Sequence, residues 1–401
     1  MTVRDKSSQQ NSSPDLPPPD GDALAHSQKL DAHIRQLIEQ SGGWISFARF
    51  MELALYAPGL GYYSAGAAKF GKEGDFVTAP EISPLFSRCL AGQLCEVLEQ
   101  TGGGDVLELG AGSGVMAADI LRQMDTRDCL PDEYLILEVS ADLRRRQQDF
   151  LSEAVPELVQ RVRWLDALPE NFVGAIVANE VMDALPVERI RAAAEGLQVQ
   201  GVVAADEGFA WQDRPATDEL IADWEAVCGD LPQPPDPGFE SELCRQLGPW
   251  VGALAGALQR GVILLIDYGL PRSQYYHPER SDGTLLCHYR HRAHPDPLRF
   301  AGIQDITAWV DFTRAAEAAV DNDLEVMGFS TQAHFLMAAG LQQILEQVPA
   351  GSTQRSVELA SQVRKLTLPG EMGERFKVIG MSRDVDHCLS GFALRDLTHT
   401  L

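Results

Sequence analysis

The stretch that most constrains this chain is Asp105-Val106-Leu107-Glu108-Leu109-Gly110-Ala111-Gly112-Ser113-Gly114. An apolar run enters three alternating glycines, and a helical pattern begins near Val115. Glycine accepts positive φ and lets a ligand approach the backbone without meeting a Cβ. The free N–H groups at the start of the following helix then face that ligand. Glu108 on the strand before the turn and Glu138 at the end of the next predicted strand complete a nucleotide pocket.

The spacing selects among nucleotides. A dinucleotide site uses G-x-G-x-x-G, whose third glycine lets helix and strand pack closely beside a pyrophosphate. Here the pattern is G-x-G-x-G, and Val115 stands where that third glycine would fall. An NAD-linked oxidoreductase is therefore disfavoured. E-x-G-x-G-x-G suits a ribose with a charged amino-acid tail, which points to S-adenosylmethionine.

Around this turn the βα alternation is legible. Strands are expected at 105–109, 134–137, 162–164, 174–178 and 261–269, separated by helix-length segments at 115–124 and 142–150. Such units make a parallel sheet, and ligands bind at the carboxyl ends of its strands. Gly110, Glu138, Asp166 and Asn179-Glu180 all fall at such ends. Glu138, followed by Val139 and Ser140, is placed to accept bonds from both ribose hydroxyls. Asp166 with Ala167 either borders the adenine or caps the next helix.

Upstream, residues 1–23 are a polar, proline-rich tail expected to be disordered. Residues 24–100 carry N-terminal helices, one of them capped by Ser46, and the loop Gly74-Asp75-Phe76-Val77-Thr78-Ala79-Pro80-Glu81. That loop is either a surface turn or a lid over the cofactor, with Asp75, Thr78 and Glu81 as polar contacts and Phe76 packing nearby. The core spans 101–190. An insertion at 191–260 holds a hairpin, a proline-rich linker over 213–240 and a helix at about 241–259. Residues 261–401 carry the fifth strand, a Tyr/His/Arg-rich insertion at 270–300, helices near 305–320 and 331–365, and two closing antiparallel strands at 376–381 and 392–394.

Bulk properties exclude several classes. A net charge of −25 argues against broad binding to phosphate backbones, so no nucleic acid is expected. Seven cysteines without C-x-x-C spacing read as reduced thiols, with neither a disulfide framework nor a zinc site. No apolar run is long enough for a membrane span, and no signal segment is apparent. A bacterial cytoplasmic enzyme is expected; oligomeric state stays open.

Several stretches in this order and spacing resemble the MidA-like family of class I S-adenosylmethionine-dependent methyltransferases. They are Gly74–Glu81, Glu108–Gly114, Ala178-Asn179-Glu180-Val181-Met182-Asp183-Ala184-Leu185-Pro186-Val187, Asp267-Tyr268-Gly269, Gly283-Thr284-Leu285 and Gln304–Thr313. The resemblance covers roughly residues 25–395. It implies an α/β, Rossmann-like seven-stranded sheet with an N-terminal helical extension and large insertions. It also implies that the 74–81 loop, including Pro80, helps to hold the cofactor together with Gly110, Gly112 and Gly114. Mitochondrial members of the family dimethylate an arginine on a complex I subunit, so a protein acceptor, such as a respiratory-complex subunit, is implied here. Family members often carry G-P-G-R-G-T in the central turn, where this chain has Ala111, Ser113 and Val115. Many carry two aromatics where it has Val181-Met182.

A cationic guanidinium acceptor needs carboxylates to orient it and polarise one nitrogen. Glu180 and Asp183 are the expected catalytic pair, although Asp183 also reads as a helix cap. Asp267 and Asp305 are outside candidates for acceptor contacts. The rival reading is a non-catalytic assembly factor or chaperone that kept the fold. Acids retained at the strand ends count against it.

Overall fold

The computed structural model describes residues 16–65, 77–348 and 352–401. The centre is a sheet whose main path has seven strands: β1 (Asp105–Leu109), β2 (Tyr134–Leu137), β3 (Val162–Leu165), β4 (Phe172–Asn179), β5 (Leu258–Leu270), β6 (Glu325–Thr331) and β7 (Phe376–Arg383); the short strand Val310–Asp311 pairs with the end of β5 beside that path. Their order in space is β3-β2-β1-β4-β5-β7-β6. The pairs β1–β2, β2–β3, β1–β4 and β4–β5 are parallel, whereas β7 runs antiparallel to both β5 and β6. The fold is the Rossmann-like methyltransferase sheet implied by the resemblance. The order reverses between β1 and β4, and the crevice at the carboxyl ends there is where such sheets bind ligands.

The strands are apolar on both sides because both faces are covered. On one face Val106, Ile136, Val177 and Leu264 pack with helices α4 (Pro84–Thr101) and α5 (Val115–Thr126), through residues such as Leu94 and Leu121. On the other, Leu107, Leu135, Ile176 and Ile263 pack with Leu254, Phe312 and Ala315.

The extension contributes α1 (Gly21–Gln40), capped by Asp20, and α2 (Phe47–Tyr56), capped by Ser46, whose Oγ accepts from Arg49 N. Leu30, Ile34, Phe47 and Phe50 pack with Val202 of a second, five-stranded sheet built from four strands within residues 188–243 and the short strand Ile45–Ser46. A third sheet joins Leu286–Tyr289, Arg292–His294 and Asp305–Thr307. These additions bring α2 and the 305–307 strand over the carboxyl ends of the central strands.

Several expectations differ from the structure. The segment near 305–320 opens with the strands Asp305–Thr307 and Val310–Asp311, because each finds a partner strand, and its helix spans Phe312–Asp321. The segment near 331–365 holds separate helices, Gln332–Ala338, Leu341–Glu346 and Thr353–Thr367, the first two parted at Gly340 (φ 92°). The linker at 213–240 holds the helix Asp218–Gly229, capped by Thr217, because Leu220, Trp224 and Val227 form an apolar face that finds a core of its own. The segment near 241 begins as a strand, Glu240–Leu243, and its helix starts only at Leu247. The second closing strand is Glu325–Thr331; Phe392 lies instead in a short 3₁₀ turn, its ring against Phe335 at 5.3 Å. Cys95 and Cys129 are joined by a disulfide, since packing of α4 on α5 brings together residues 34 apart that share no local motif.

One row across the sheet has no room for side chains. Gly261 of β5 faces Gly174 of β4, which faces Asp105 of β1. A Cβ on Gly174 (φ 135°) would lie 2.0 Å from the Asp105 carbonyl oxygen, and one on Gly261 (φ 137°) 1.9 Å from that of Gly174. Gly174→Ala is expected to cost about 3 kcal/mol or more of stability, combining backbone strain with a backbone clash. Urea unfolding of the two proteins measures it, and a shift within about 0.5 kcal/mol would contradict this account.

Candidate active site

A cavity of about 950 Å³ opens at the carboxyl ends of β1, β2 and β4. Its floor is the glycine turn. Gly110 (φ 65°), Gly112 (φ 55°) and Gly114 (φ 85°) all have positive φ, and a Cβ on Gly110 would come within 3.1 Å of Val181. Gly110 and Gly112 line the cavity, whereas Gly114 caps α5 behind it.

The turn is clamped from two sides. Gln147, fully buried on helix α6 (Ala141–Ala154), donates through Nε2 to the Gly112 carbonyl at 3.0 Å and to Glu138 Oε2 at 3.0 Å. Its own Oε1 accepts from the Trp164 indole at 2.9 Å, which fixes the amide orientation. From above, the short helix α3 (Ala79–Ile82) crosses the turn, where Ser113 Oγ donates to the Glu81 carboxylate. Thr78, Pro80 and Glu81 line the cavity, so this end of the 74–81 loop does cover the crevice. Gly74, Asp75 and Phe76 lie outside the described residues.

The acids differ in setting. Glu138 is held by Ser140 N (2.9 Å) and by Gln147, which leaves acceptor capacity towards the cavity it lines. Burial raises its pKa. Val139, 81% exposed, and Ser140 line the same wall. Glu108 is buried beneath the turn and accepts from the Tyr134 hydroxyl at 2.6 Å. Burial pushes its carboxyl up to about 7. Asp166 pairs with Arg144 at 2.7 Å and is 90% exposed; neither it nor Ala167 lines the cavity, where Leu168 stands instead. No helix follows Asp166, so it caps none.

The far end of the cavity is lined by Glu180, and a second group of acids lies outside that lining. Glu180 has φ 54°, strained for a residue with a Cβ, and lines the cavity. Its N–H is anchored to the Ile266 carbonyl at 2.9 Å, and its carboxylate accepts from Asn179 Nδ2 (3.1 Å) and Ala79 N (3.4 Å). Asn179 Oδ1 is buried and has no partner. Asp183 lies behind, accepting from the Tyr268 hydroxyl at 2.5 Å and capping no helix. Asp267 takes the Met182 and Asp183 N–H groups on Oδ2, at 2.9 and 3.1 Å. Asp305 accepts from the Tyr63 hydroxyl at 2.9 Å. Burial, reinforced by Asp183, raises Glu180 to about 8; burial also raises Asp183, and burial with both neighbours raises Asp267 well above the usual range. No arginine or lysine among the described residues bonds to Glu180, Asp183 or Asp267.

S-adenosylmethionine fits this arrangement. An open glycine turn, a carboxylate with spare acceptor capacity and an orphaned amide oxygen are what a ribose and an ammonium-bearing tail require. Gln147, Tyr134, Tyr56, Tyr63 and Tyr268 were not singled out as site residues from the sequence, because their roles depend on contacts between segments far apart in the chain. The pairing of Tyr268 with Asp267 in one stretch was the only local signal. No cluster of metal-binding side chains and no helix long and apolar enough to cross a membrane occur among the described residues.

Residues 89–330 match the family model described as "Putative S-adenosyl-L-methionine-dependent methyltransferase". A crystal structure from Burkholderia thailandensis, described as a "likely methyl transferase" bound to S-adenosyl-homocysteine, is similar with a TM-score of 0.92 and 44% identity, over 96% of this chain and 100% of that one. A second crystal structure from that organism aligns with a TM-score of 0.89 and 43% identity, over 96% and 100% of the two chains. Among curated proteins, the mitochondrial protein arginine methyltransferase NDUFAF7 homolog of Drosophila melanogaster is 28% identical over 92% of this chain and 89% of its own. That of Mus musculus is also 28% identical, over 89% and 85%. The match over more than half of the chain shows that it belongs to this family and is an S-adenosylmethionine-dependent methyltransferase.

Proposed function

We propose that the acceptor is an arginine side chain of a partner protein and that the reaction is N-methylation of its guanidinium. The observation that carries this reading is the carboxyl group of Glu180 in the cavity wall, backed by the buried Asp183 and Asp267, with no arginine or lysine among the described residues bonded to any of the three. Buried acids without a cation cost several kcal/mol, and a guanidinium entering the pocket offsets that cost. The curated relatives named as protein arginine methyltransferases support the same acceptor. By their names those relatives are mitochondrial; a respiratory-complex subunit is the corresponding candidate partner here.

In this reading Glu138 holds the ribose hydroxyls, the Gly110–Gly112 backbone passes under the cofactor, and Thr78, Pro80 and Glu81 close over it. Val139, Ser140 and Leu168 border the adenine, while Asp166 acts from outside through Arg144. The unpartnered Asn179 Oδ1 accepts from the amino-acid tail. Bound there, S-adenosylmethionine supplies an electrophilic methyl carbon on a sulfonium. Glu180 orients the guanidinium so that one nitrogen lies in line with that carbon, and alignment is the main demand of such a displacement. Its carboxylate then takes the proton that the methylated nitrogen sheds. Asp183, fixed by Tyr268, keeps Glu180 in place.

Three outcomes test this reading. Glu138→Ala is expected to weaken S-adenosylhomocysteine about 10- to 100-fold in isothermal titration, the worth of hydrogen bonds to a charged group; unchanged affinity would remove Glu138 from the site. With methyl-tritiated S-adenosylmethionine and a library of arginine-containing peptides, label should appear in methylarginine. Glu180→Gln should lower the rate at least about 100-fold while cofactor affinity holds; label in lysine or in esters instead would overturn the acceptor class. The pH profile follows from the raised pKa of Glu180. Below about 8 its carboxyl is mostly protonated in the free enzyme and cannot pair with a cation, so kcat/KM for the peptide should rise with pH and level off above about 8. Glu180→Gln should remove that inflection, and an inflection that survives belongs to another group.

A further inference from the structure

The geometry points to a recognition element outside the methyl-transfer core: Tyr56 and Tyr63 of the N-terminal extension form an aromatic wall that, with the Glu180 carboxyl lining the same cavity, makes a cage for a planar guanidinium. This deepens the proposed function and rests on that reading. Both tyrosines line the cavity and both are only partly buried. Their rings stack with centroids 5.6 Å apart and planes 23° from parallel. Tyr62, buried, meets Tyr63 edge-on at 5.1 Å and fixes its tilt.

The hydroxyls are already committed. Tyr56 donates to the Ala184 carbonyl at 3.0 Å, and Tyr63 donates to Asp305 at 2.9 Å. The first bond ties the wall to the stretch that carries Glu180 and Asp183, and the second ties it to Asp305. Asp183 and Asp305 are near enough to both rings to raise their hydroxyl pKa values. What the tyrosines offer a ligand is therefore aromatic surface. Glu180 lines the same cavity and is held there by Asn179 Nδ2 at 3.1 Å.

Aromatic rings beside carboxylates attract cations and give a neutral acceptor no comparable gain. Between the two cationic side chains, the flat guanidinium both stacks on rings and pairs with carboxylates through several N–H groups, whereas an ammonium is a strongly hydrated point charge. The wall thus adds a preference for arginine over lysine that carboxylates alone would not provide. Tyr56 and Tyr63 come from the N-terminal extension, outside residues 89–330 that match the family model, whereas Glu180 lies within them.

The test is isothermal titration of the full chain saturated with S-adenosylhomocysteine, using N-acetyl-arginine methylamide as probe and the lysine analogue for comparison. The arginine probe is expected to bind about ten-fold tighter than the lysine probe. Tyr56→Leu and Tyr63→Leu should each weaken it about ten-fold, leaving S-adenosylhomocysteine affinity within about two-fold. Tyr56→Phe should stay within about three-fold of wild type, because the ring is retained. Unchanged arginine affinity in the leucine variants overturns the wall and leaves the guanidinium reading standing. A loss in Tyr56→Phe as large as in Tyr56→Leu also overturns the wall, since the hydroxyl would then be responsible. Equal binding of both probes by wild type overturns it with no variant needed. Failure of the wild-type, S-adenosylhomocysteine-saturated protein to bind the arginine probe at all sinks the guanidinium acceptor and the cage with it.

Discussion

Asp183 and Asp267, buried, and Glu180, half-buried, lie close together without a bonded cation among the described residues, and much of the surrounding structure holds them. Three carboxyl groups in low dielectric repel one another and lose their hydration. The protein answers with donors: Tyr268 on Asp183, two backbone N–H groups on one oxygen of Asp267, and Asn179 with Ala79 N on Glu180. It also answers with protons, since all three groups titrate higher than usual. The strained backbone at Glu180 (φ 54°) fits this picture, because that conformation persists only where neighbours over-determine it. Here the Ile266 carbonyl and the α3 segment do so.

The cofactor end is built on the opposite principle. Nothing there is strained except glycine, and the polar groups are shared rather than crowded. Gln147 joins the turn to Glu138 with one amide, so the floor and the carboxylate cannot move independently. Glu81 ties α3 to Ser113, and α3 in turn touches Glu180 through Ala79 N. One short segment therefore contacts both ends of the cavity, which couples closure over the glycine turn to the setting of the acceptor carboxylate. Ser113 occupies a place where the family often has arginine, and it serves the same segment as a hydroxyl donor.

The parts of the fold that could be read directly are those whose signal is local. The alternation around Asp105–Leu109, the glycine turn and the buried run at 262–266 each carry a period or a turn chemistry within a few residues. Errors fell where tertiary contacts decide. The segment at 325–331 has little strand signal of its own and becomes a strand because β7 offers it an edge. The helix Asp218–Gly229 was masked by the prolines that follow it. Cys95 and Cys129 meet only because α4 and α5 pack together.

The same division runs through the site. The sequence alone determined the class of sheet, the turn under the cofactor and the acids at the strand ends, because each depends on residue type at a fixed spacing along one strand and loop. Only the tertiary structure decided which of those acids face the cavity, which one is turned out to Arg144, and that Tyr56 and Tyr63 line the same cavity as Glu180 from a segment more than a hundred residues away. The reason is physical: a covalent neighbour is set by the chain, whereas burial, pairing and the pKa shifts they cause are set by whatever the fold packs against it.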